Sequence, residues 1–404
     1  MSQSSRFSKS EISLLVILSA VNFSHIVDFM IMMPLGPQLM RILKINPSQF
    51  SLLVSAYTFC AGATGLLSAF FLDFFDRKRS LIFFFSGFCL GTLACGLSNT
   101  YETLLIARSL TGAFGGVLGS QVFAIVGDVF LPEKRGTATG IVMGAFSLAS
   151  ILGVPFSLYL AAHGTWQTPL IVLAGISGLV LALIIWKAPS LRSHMGTDRA
   201  SPWSFIKTVP FERRPLLALI LLVLIVFGQF IVVPFLSPSL VANAGLREDQ
   251  LPLVYLIGGT LSLFASPMFG RWVDRSGPIR VMLIAAPFSM IPFLLVTHLG
   301  PTSVAYALFV CALFFFLMGG RMVPVMTLAT GSVQPVNRGA FMSLSSSVQQ
   351  FAAALAAMAA GHIVTVGEDG RLLNYNKIGY LASGLTIVAL CVAFRLRKEP
   401  AQVS

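Results

Sequence analysis

Asp28 is the residue whose setting most needs a chemical explanation. The stretch from Ile12 to Leu39 holds no other Asp, Glu, Lys or Arg. An ionisable side chain inside such an apolar span costs about 2.5–3.5 kcal/mol on insertion scales. At 3.6 residues per turn, a helix here aligns Asn22, His25, Asp28 and Met32 along one side, a stripe suited to a cavity. Desolvation favours the neutral form of a carboxyl group and a nearby cation favours the charged form. A group balanced between the two can take a proton in one state and lose it in another. Asp28 could instead touch a bound compound directly, or be held by hydrogen bonds with no titration.

Arg108 is the expected partner. It lies about five residues, roughly 8 Å, into its own span, while Asp28 lies about nine residues, roughly 14 Å, from Pro37. An arginine side chain can close that difference; the other reading is an arginine that snorkels to the interface. His25 could relay protons, because its ordinary titration lies nearest neutrality, or could serve as a structural hydrogen-bonding group. Arg321, a few residues from the end of its span, either snorkels or lines a cavity. Gln121, Gln229, Gln349 and Gln350 offer hydrogen bonds to a bound compound, or polar contacts between helices.

These residues need a bilayer to make sense. Of the 404 residues, 56% are hydrophobic and 10% charged, against about 45–50% and 25% in soluble domains. A soluble protein could not cover its surface with so few charges. Cys60, Cys89, Cys95, Cys311 and Cys391 all lie in apolar runs with no metal or disulfide spacing. The first apolar run is too long for a signal peptide's core of about 7–15 residues and is expected to be retained.

With about 20 apolar residues per crossing, twelve spans are expected: 12–37, 48–72, 80–98, 103–127, 137–161, 168–186, 215–238, 251–270, 279–298, 302–327, 339–363 and 378–394. Twenty of the 27 Lys and Arg residues fall in segments on the N-terminal side, five in the opposite loops, and Arg108 and Arg321 within spans. That asymmetry predicts both termini in the cytoplasm. It also accounts for the formal charge of +12 without nucleic acid.

The chain repeats itself at an offset of about 200 residues, the signature of duplicated architecture. Met33-Pro34-Leu-Gly-Pro37 parallels Val233-Pro234-Phe-Leu-Ser-Pro238. Asp73, Arg77 and Lys78 parallel Asp274, Arg275 and Arg280. Gly115-Gly116 followed by Arg135-Gly136 parallels Gly319-Gly320 followed by Arg338-Gly339. The Pro34/Pro234 alignment puts Gly228, beside Gln229, where the first half has Asp28, so the second half has no acid there. The expected organisation is a six-helix bundle over 1–187, a cytoplasmic linker over 188–214, rich in Arg, Ser and Pro, and a second six-helix bundle over 215–404.

This all-α membrane architecture of two pseudo-symmetric six-helix bundles resembles the major facilitator superfamily, whose halves rock about a midplane site. The segment Ala69 to Lys78 is similar to its loop 2–3 motif, with Asp73, Arg77 and Lys78 at the charged positions and Ala69 and Asp76 where glycines stand in the family. The loop 8–9 copy is fuller, with Gly270, Asp274, Arg275 and Gly277. Arg108-Ser-Leu-Thr-Gly112, leading to Gly115-Gly116, resembles the span 4 motif of the drug:proton and sugar-efflux antiporters. Gly140, Gly144 and Gly153-Val-Pro155 match their span 5 motif in part, since Ser157 and Leu158 stand where glycines are expected.

The resemblance implies a secondary transporter of the bacterial inner membrane, monomeric and without a cofactor, that exports a small amphipathic or lipophilic compound in exchange for protons. Asp28 and His25 would then handle the proton, and Asn22, Asp28, Met32, Arg108, Gln121, Gln229, Arg321 and Gln349 would line the substrate cavity. The resemblance gives Asp73, Arg77, Lys78, Asp128, Asp274 and Arg275 the role of a cytoplasmic gate; anchoring of topology alone is the other reading. Asp128, at the C-terminal end of its helix, opposes the helix dipole and calls for a cationic neighbour. Pro34, Gly153 and Pro155 would let helices bend. The scarcity of charges within the spans favours a neutral or cationic compound. A sugar or other metabolite transporter is the near alternative, and a non-transporting receptor the alternative of another class. No nucleotide-binding G-x-x-x-x-G-K-[ST] loop occurs.

Overall fold

The computed structural model describes residues 7–188, 212–334 and 338–398. Most of the expected linker therefore lies outside the described residues. In the first half, helices α1 (Lys9–Ile31), α2 (Gly36–Ile42), α3 (Pro47–Phe71), α4 (Arg77–Leu97), α5 (Tyr101–Val129) and α6 (Pro132–Leu148) follow one another. A π-helical turn over Ala149–Gly153 then leads to α7 (Val154–His163) and α8 (Thr168–Lys187). The second half comprises α9 (Arg213–Phe230), α10 (Leu236–Ala242), α11 (Leu251–Ser276), α12 (Pro278–Thr297), α13 (Val304–Thr330), α14 (Arg338–Ile363) and α15 (Tyr375–Lys398).

Counting α1–α2, α6–α7 and α9–α10 as bent rods, the described residues form twelve rods. Eleven are long and apolar enough to cross a membrane. The twelfth, α14, has 26 residues, and Ser345, Ser346, Ser347, Gln349 and Gln350 make it less apolar. Among the described residues the strands are those of one hairpin, β1 (Thr365–Val366) and β2 (Leu372–Leu373), antiparallel with Thr365 opposite Leu373. A loop was expected there. Gly370 takes φ +77° in the turn, and Asn243 clamps Leu372 by donating to its carbonyl (2.9 Å) and accepting from its N–H (2.8 Å).

Polar side chains fix where the rods begin. Ser8 with Glu11, and Asn46 with Gln49, form capping boxes, and Asp76 accepts from the Lys78 and Arg79 N–H groups. The rods between them carry large apolar side chains outward: Phe74, Phe83, Leu90 and Trp186 are all well exposed, the surface a lipid solvent requires.

The two ends of the molecule differ. At the face opposite the termini, one hydrophobic core draws on both halves, joining Leu39, Phe50 and Trp166 to Phe235, Leu240 and Phe293. A Cβ added at Gly36 would fall 2.8 Å from both the Phe50 ring and Pro238, so only glycine lets these segments meet. At the terminal face each half instead closes on a core of its own, around Phe85, Val122 and Phe130 in the first half and around Leu222, Met282 and Phe341 in the second. The halves are sealed together at one end and packed separately at the other.

Candidate functional site

Asp28 sits in the last turn of α1 and is wholly buried. Its Oδ2 accepts from Arg108 Nη1 at 2.8 Å, and its Oδ1 accepts from Thr92 Oγ1 at 3.1 Å. Three helices thus meet on one carboxylate: α1 supplies it, α5 the cation and α4 the hydroxyl. The guanidinium of Arg108, itself 1% exposed, lies over the Tyr57 ring of α3 at 4.4 Å, where the ring's negative face adds attraction. The expected Asp28–Arg108 pair is present, and Arg108 does not snorkel.

Glycines make the site possible. A Cβ on Gly112 would lie 2.7 Å from the Tyr57 Cα, and one on Gly116 would lie 2.7 Å from the Ala61 carbonyl carbon. The i, i+4 pair of glycines therefore lets α3 press against α5, the close approach that small residues allow between membrane helices. It also brings Tyr57 under Arg108, four residues before Gly112. On the other side, a Cβ on Gly91 would fall 3.0 Å from the Thr111 Cα, so α4 also packs close to α5 and delivers Thr92. Arg108 and the glycines stand out in the sequence, whereas Thr92 and Tyr57, hydroxyl-bearing residues within apolar spans, do not.

The remaining stripe residues divide. Asn22 donates to the Val142 carbonyl (3.0 Å) and its Oδ1 lies 3.1 Å from His25 Nε2. His25, half-buried and one turn before Asp28, faces Gly119 of α5 and hydrogen-bonds Asn22. Met32 is fully buried in the shared core of the sealed face, so in this state it closes the molecule rather than lining a cavity. Gln121 also departs from the cavity expectation: it is buried beside the Arg77 carbonyl, to which its Nε2 donates at 3.4 Å. Gln349, inside α14, donates back to the Ser345 carbonyl one turn earlier at 3.1 Å, and Gln229 is half-buried near the end of α9.

At the terminal face, Arg77 Nε donates to Asp128 Oδ2 at 3.0 Å. Asp128 thus has the cationic neighbour its place at a helix C-terminus called for. Lys78 Nζ donates to the Ile185 carbonyl at 3.0 Å. Asp274 and Arg275 are exposed, and the side chain of Asp73 lies outside the described part. Both partners of the Arg77–Asp128 pair belong to the first half, so it ties α4 to α5 and does not itself bridge the halves. Among the described residues, an ion pair that was not foreseen bridges them at the sealed face: Arg41, in the last turn of α2, with Glu248, before α11. Its partners are 207 positions apart, and nothing in the spacing announces it.

The residues expected to allow bending lie where helices are interrupted. Pro34 lies in the turn between α1 and α2, and Gly153 and Pro155 mark the change from the π turn to α7, a device common at functional sites. That π turn touches the second half, where a Cβ on Gly259 of α11 would lie 2.8 Å from the Ser150 carbonyl oxygen.

The second half has an arginine but no acid to meet it. Arg321 of α13 is 1% exposed, and its Nε, Nη1 and Nη2 make no hydrogen bond. Its guanidinium lies 4.7 Å from the Phe293 ring centre and turns Nη2 toward Gly228, the counterpart of Asp28.

A family model described as Major Facilitator Superfamily matches residues 18–357, and again 218–403. The inner membrane transport protein YdhP of Escherichia coli (strain K12) is 26% identical over 92% of this chain and 93% of its own. A probable sugar efflux transporter of Mannheimia succiniciproducens is 23% identical over 65% of this chain and 64% of its own. Among solved structures, a bacterial homologue of the human lysosomal transporter Spinster, inward-facing and unoccupied, superposes with a TM-score of 0.77. At 14% identity it covers 98% of this chain and all of the other.

Proposed function

The chain belongs to the Major Facilitator Superfamily, and from that premise we propose that it exports a small amphipathic compound across the inner membrane in exchange for protons that Asp28 carries. The observation behind this is the buried carboxylate shared by α1, α4 and α5, with Arg108 and Thr92 as its partners. As an ion, Asp28 holds the three helices together through a charge-assisted bond. On taking a proton it loses its attraction for Arg108, which keeps its charge and the face of Tyr57. The three-helix junction then loosens.

A line of contacts carries that change to the second half. Tyr57 packs against Phe29 (centroids 5.7 Å apart), and Phe29 against Phe230 (5.9 Å), at the end of α9. Protonation would thus bias the packing between the halves. Alternating access needs such a bias, because one end must separate while the other closes. With both termini in the cytoplasm, as the basic residues favour, the sealed face is periplasmic and the state described here faces inward. Arg41–Glu248 and the shared core then form the outer closure.

The test is cellular. Wild type and Asp28→Asn are expressed in a host lacking its own efflux pumps, and accumulation of a panel of fluorescent lipophilic compounds is followed with and without a protonophore. Lower accumulation with wild type, abolished by the protonophore and by Asp28→Asn, is expected. No difference across the panel, with the protein shown to be in the membrane, would favour the second reading, a narrow transporter of sugars or another metabolite. The likeness to a protein named as a probable sugar efflux transporter supports that second reading.

A further inference from the structure

Arg321 has no charge to answer it. In the described part of the second half the acidic residues are Glu212, Glu248, Asp249, Asp274, Glu368 and Asp369. They stand before α9, in the short turn before α11, in the last turn of α11 and in the β-hairpin, all at rod ends or in loops. Arg321 lies nine residues inside the end of α13, about 14 Å deep at 1.5 Å per residue. A guanidinium keeps its proton, and a buried ion without partners is strongly unfavourable unless something pairs with it.

The surroundings indicate what that something is. In the first half the arginine faces a carboxylate on α1. In the second half Arg321 Nη2 faces Gly228, where an added Cβ would meet only ordinary contacts: Nη2 at 3.5 Å, the Ala382 carbonyl at 3.6 Å and Leu385 at 3.8 Å. The place of the missing carboxylate lacks a side chain and would accept a Cβ without a clash. Phe293 and Leu385 give it an apolar wall, and α9 breaks its helix just beyond, at Ile231–Val232.

We propose that Arg321 and the gap at Gly228 form a binding site for the anionic head, carboxylate or phosphate, of an amphipathic compound whose apolar part lies along Phe293 and Leu385. The proposal rests on the transport reading for its purpose and narrows it: the carried compound is acidic, against the neutral or cationic kind that the scarcity of charged residues favoured. A guanidinium binds such heads through paired hydrogen bonds, and all three of its nitrogens are unbonded here.

The experiment measures the melting temperature of the full chain in phosphatidylcholine nanodiscs, with no proton gradient. The probes are decanoate, decyl phosphate, 1-decanol, decyltrimethylammonium and inorganic phosphate. Decanoate or decyl phosphate should raise the melting temperature saturably, as a ligand of the folded state does, while 1-decanol and the ammonium should not. Arg321→Gln should weaken the response at least about tenfold in apparent affinity. Should that variant fail to fold, two others carry the test: Arg321→Lys should keep the preference for anions, and Gly228→Asp should lose it by filling the gap with an internal counter-charge.

Inorganic phosphate acting as well as decyl phosphate would overturn the amphipathic requirement. Equal responses to 1-decanol and decanoate, or an unchanged response in both Arg321→Gln and Gly228→Asp, would overturn the site. Nanodiscs containing phosphatidylglycerol separate the two sources of such a head. A raised melting temperature with a flattened probe response identifies a lipid, and an unchanged response identifies a soluble compound. Because binding is read without a gradient, failure of proton drive leaves this result intact, and loss of anion preference leaves the protonophore result intact.

Discussion

The two halves repeat one architecture but treat their central arginines in opposite ways. In the first, Arg108 is matched by Asp28, supported by Thr92 and roofed by Tyr57. In the second, Arg321 has an aromatic roof, Phe293, but Gly228 where the acid would stand. The contrast teaches that two bundles of similar arrangement can hold a buried arginine with quite different partners. A complete pair can be switched from within by a proton. An incomplete one has to be completed from outside.

The largest effect expected from breaking this contrast comes from the pair. Arg108→Gln leaves Asp28 buried without its cation, a change that costs about 3–5 kcal/mol when nothing compensates. The loss should fall toward the lower end, since Asp28 can become neutral by taking a proton. A lower melting temperature in nanodiscs, together with loss of gradient-driven export, checks it. The mirror substitution should go the other way. Arg321→Gln removes a buried charge that has no partner, so the ligand-free protein should gain stability, by about 1–4 kcal/mol on the scale of buried-charge replacements. A loss as large as that of Arg108→Gln would mean that Arg321 is satisfied within the protein.

Packing around the pair should matter next. Gly116→Val places carbon against the backbone of Ala61, and overpacking of this kind costs about 1–3 kcal/mol. It should separate α3 from α5 and reduce transport. Gly270, with nothing within 4 Å of an added Cβ, is the control: Gly270→Ala should leave the melting temperature unchanged. The smallest effect belongs to the sealed face. Arg41 is 64% exposed in its pair with Glu248, and exposed ion pairs contribute about 0.2–1 kcal/mol. Arg41→Ala should therefore leave the melting temperature almost unmoved. It should still raise the labelling of a cysteine placed at Gln38, in the groove of about 560 Å³ beside Arg41 and Glu248, by a thiol reagent that cannot cross the membrane.

Much of the scaffold was legible because a bilayer imposes long apolar runs, and those runs survive in any reading of the chain. Asp28 and Arg108 were legible for the same reason, since a charge in such a run stands out. Thr92 and Tyr57 were not, because hydroxyls are common in spans and only the meeting of four helices gives them a task. Gln121 and Met32 were assigned to a cavity from polarity and periodicity. Periodicity fixes a helix face but not which neighbour covers it, and the structure covers them with the Arg77 backbone and the sealed-face core. The glycines of Arg108-x-x-x-Gly112 were visible as a motif; that they admit the Tyr57 backbone follows only from packing.

The central claim is that Asp28 itself takes and releases the proton. Infrared difference spectroscopy during acidification, comparing wild type with Asp28→Asn in nanodiscs, tests it most directly. A protonated-carboxyl band should grow in the wild type as the pH falls and be missing from the variant. Identical difference spectra for the two proteins would show that Asp28 stays an ion throughout, and would leave its pair with Arg108 a structural tie alone.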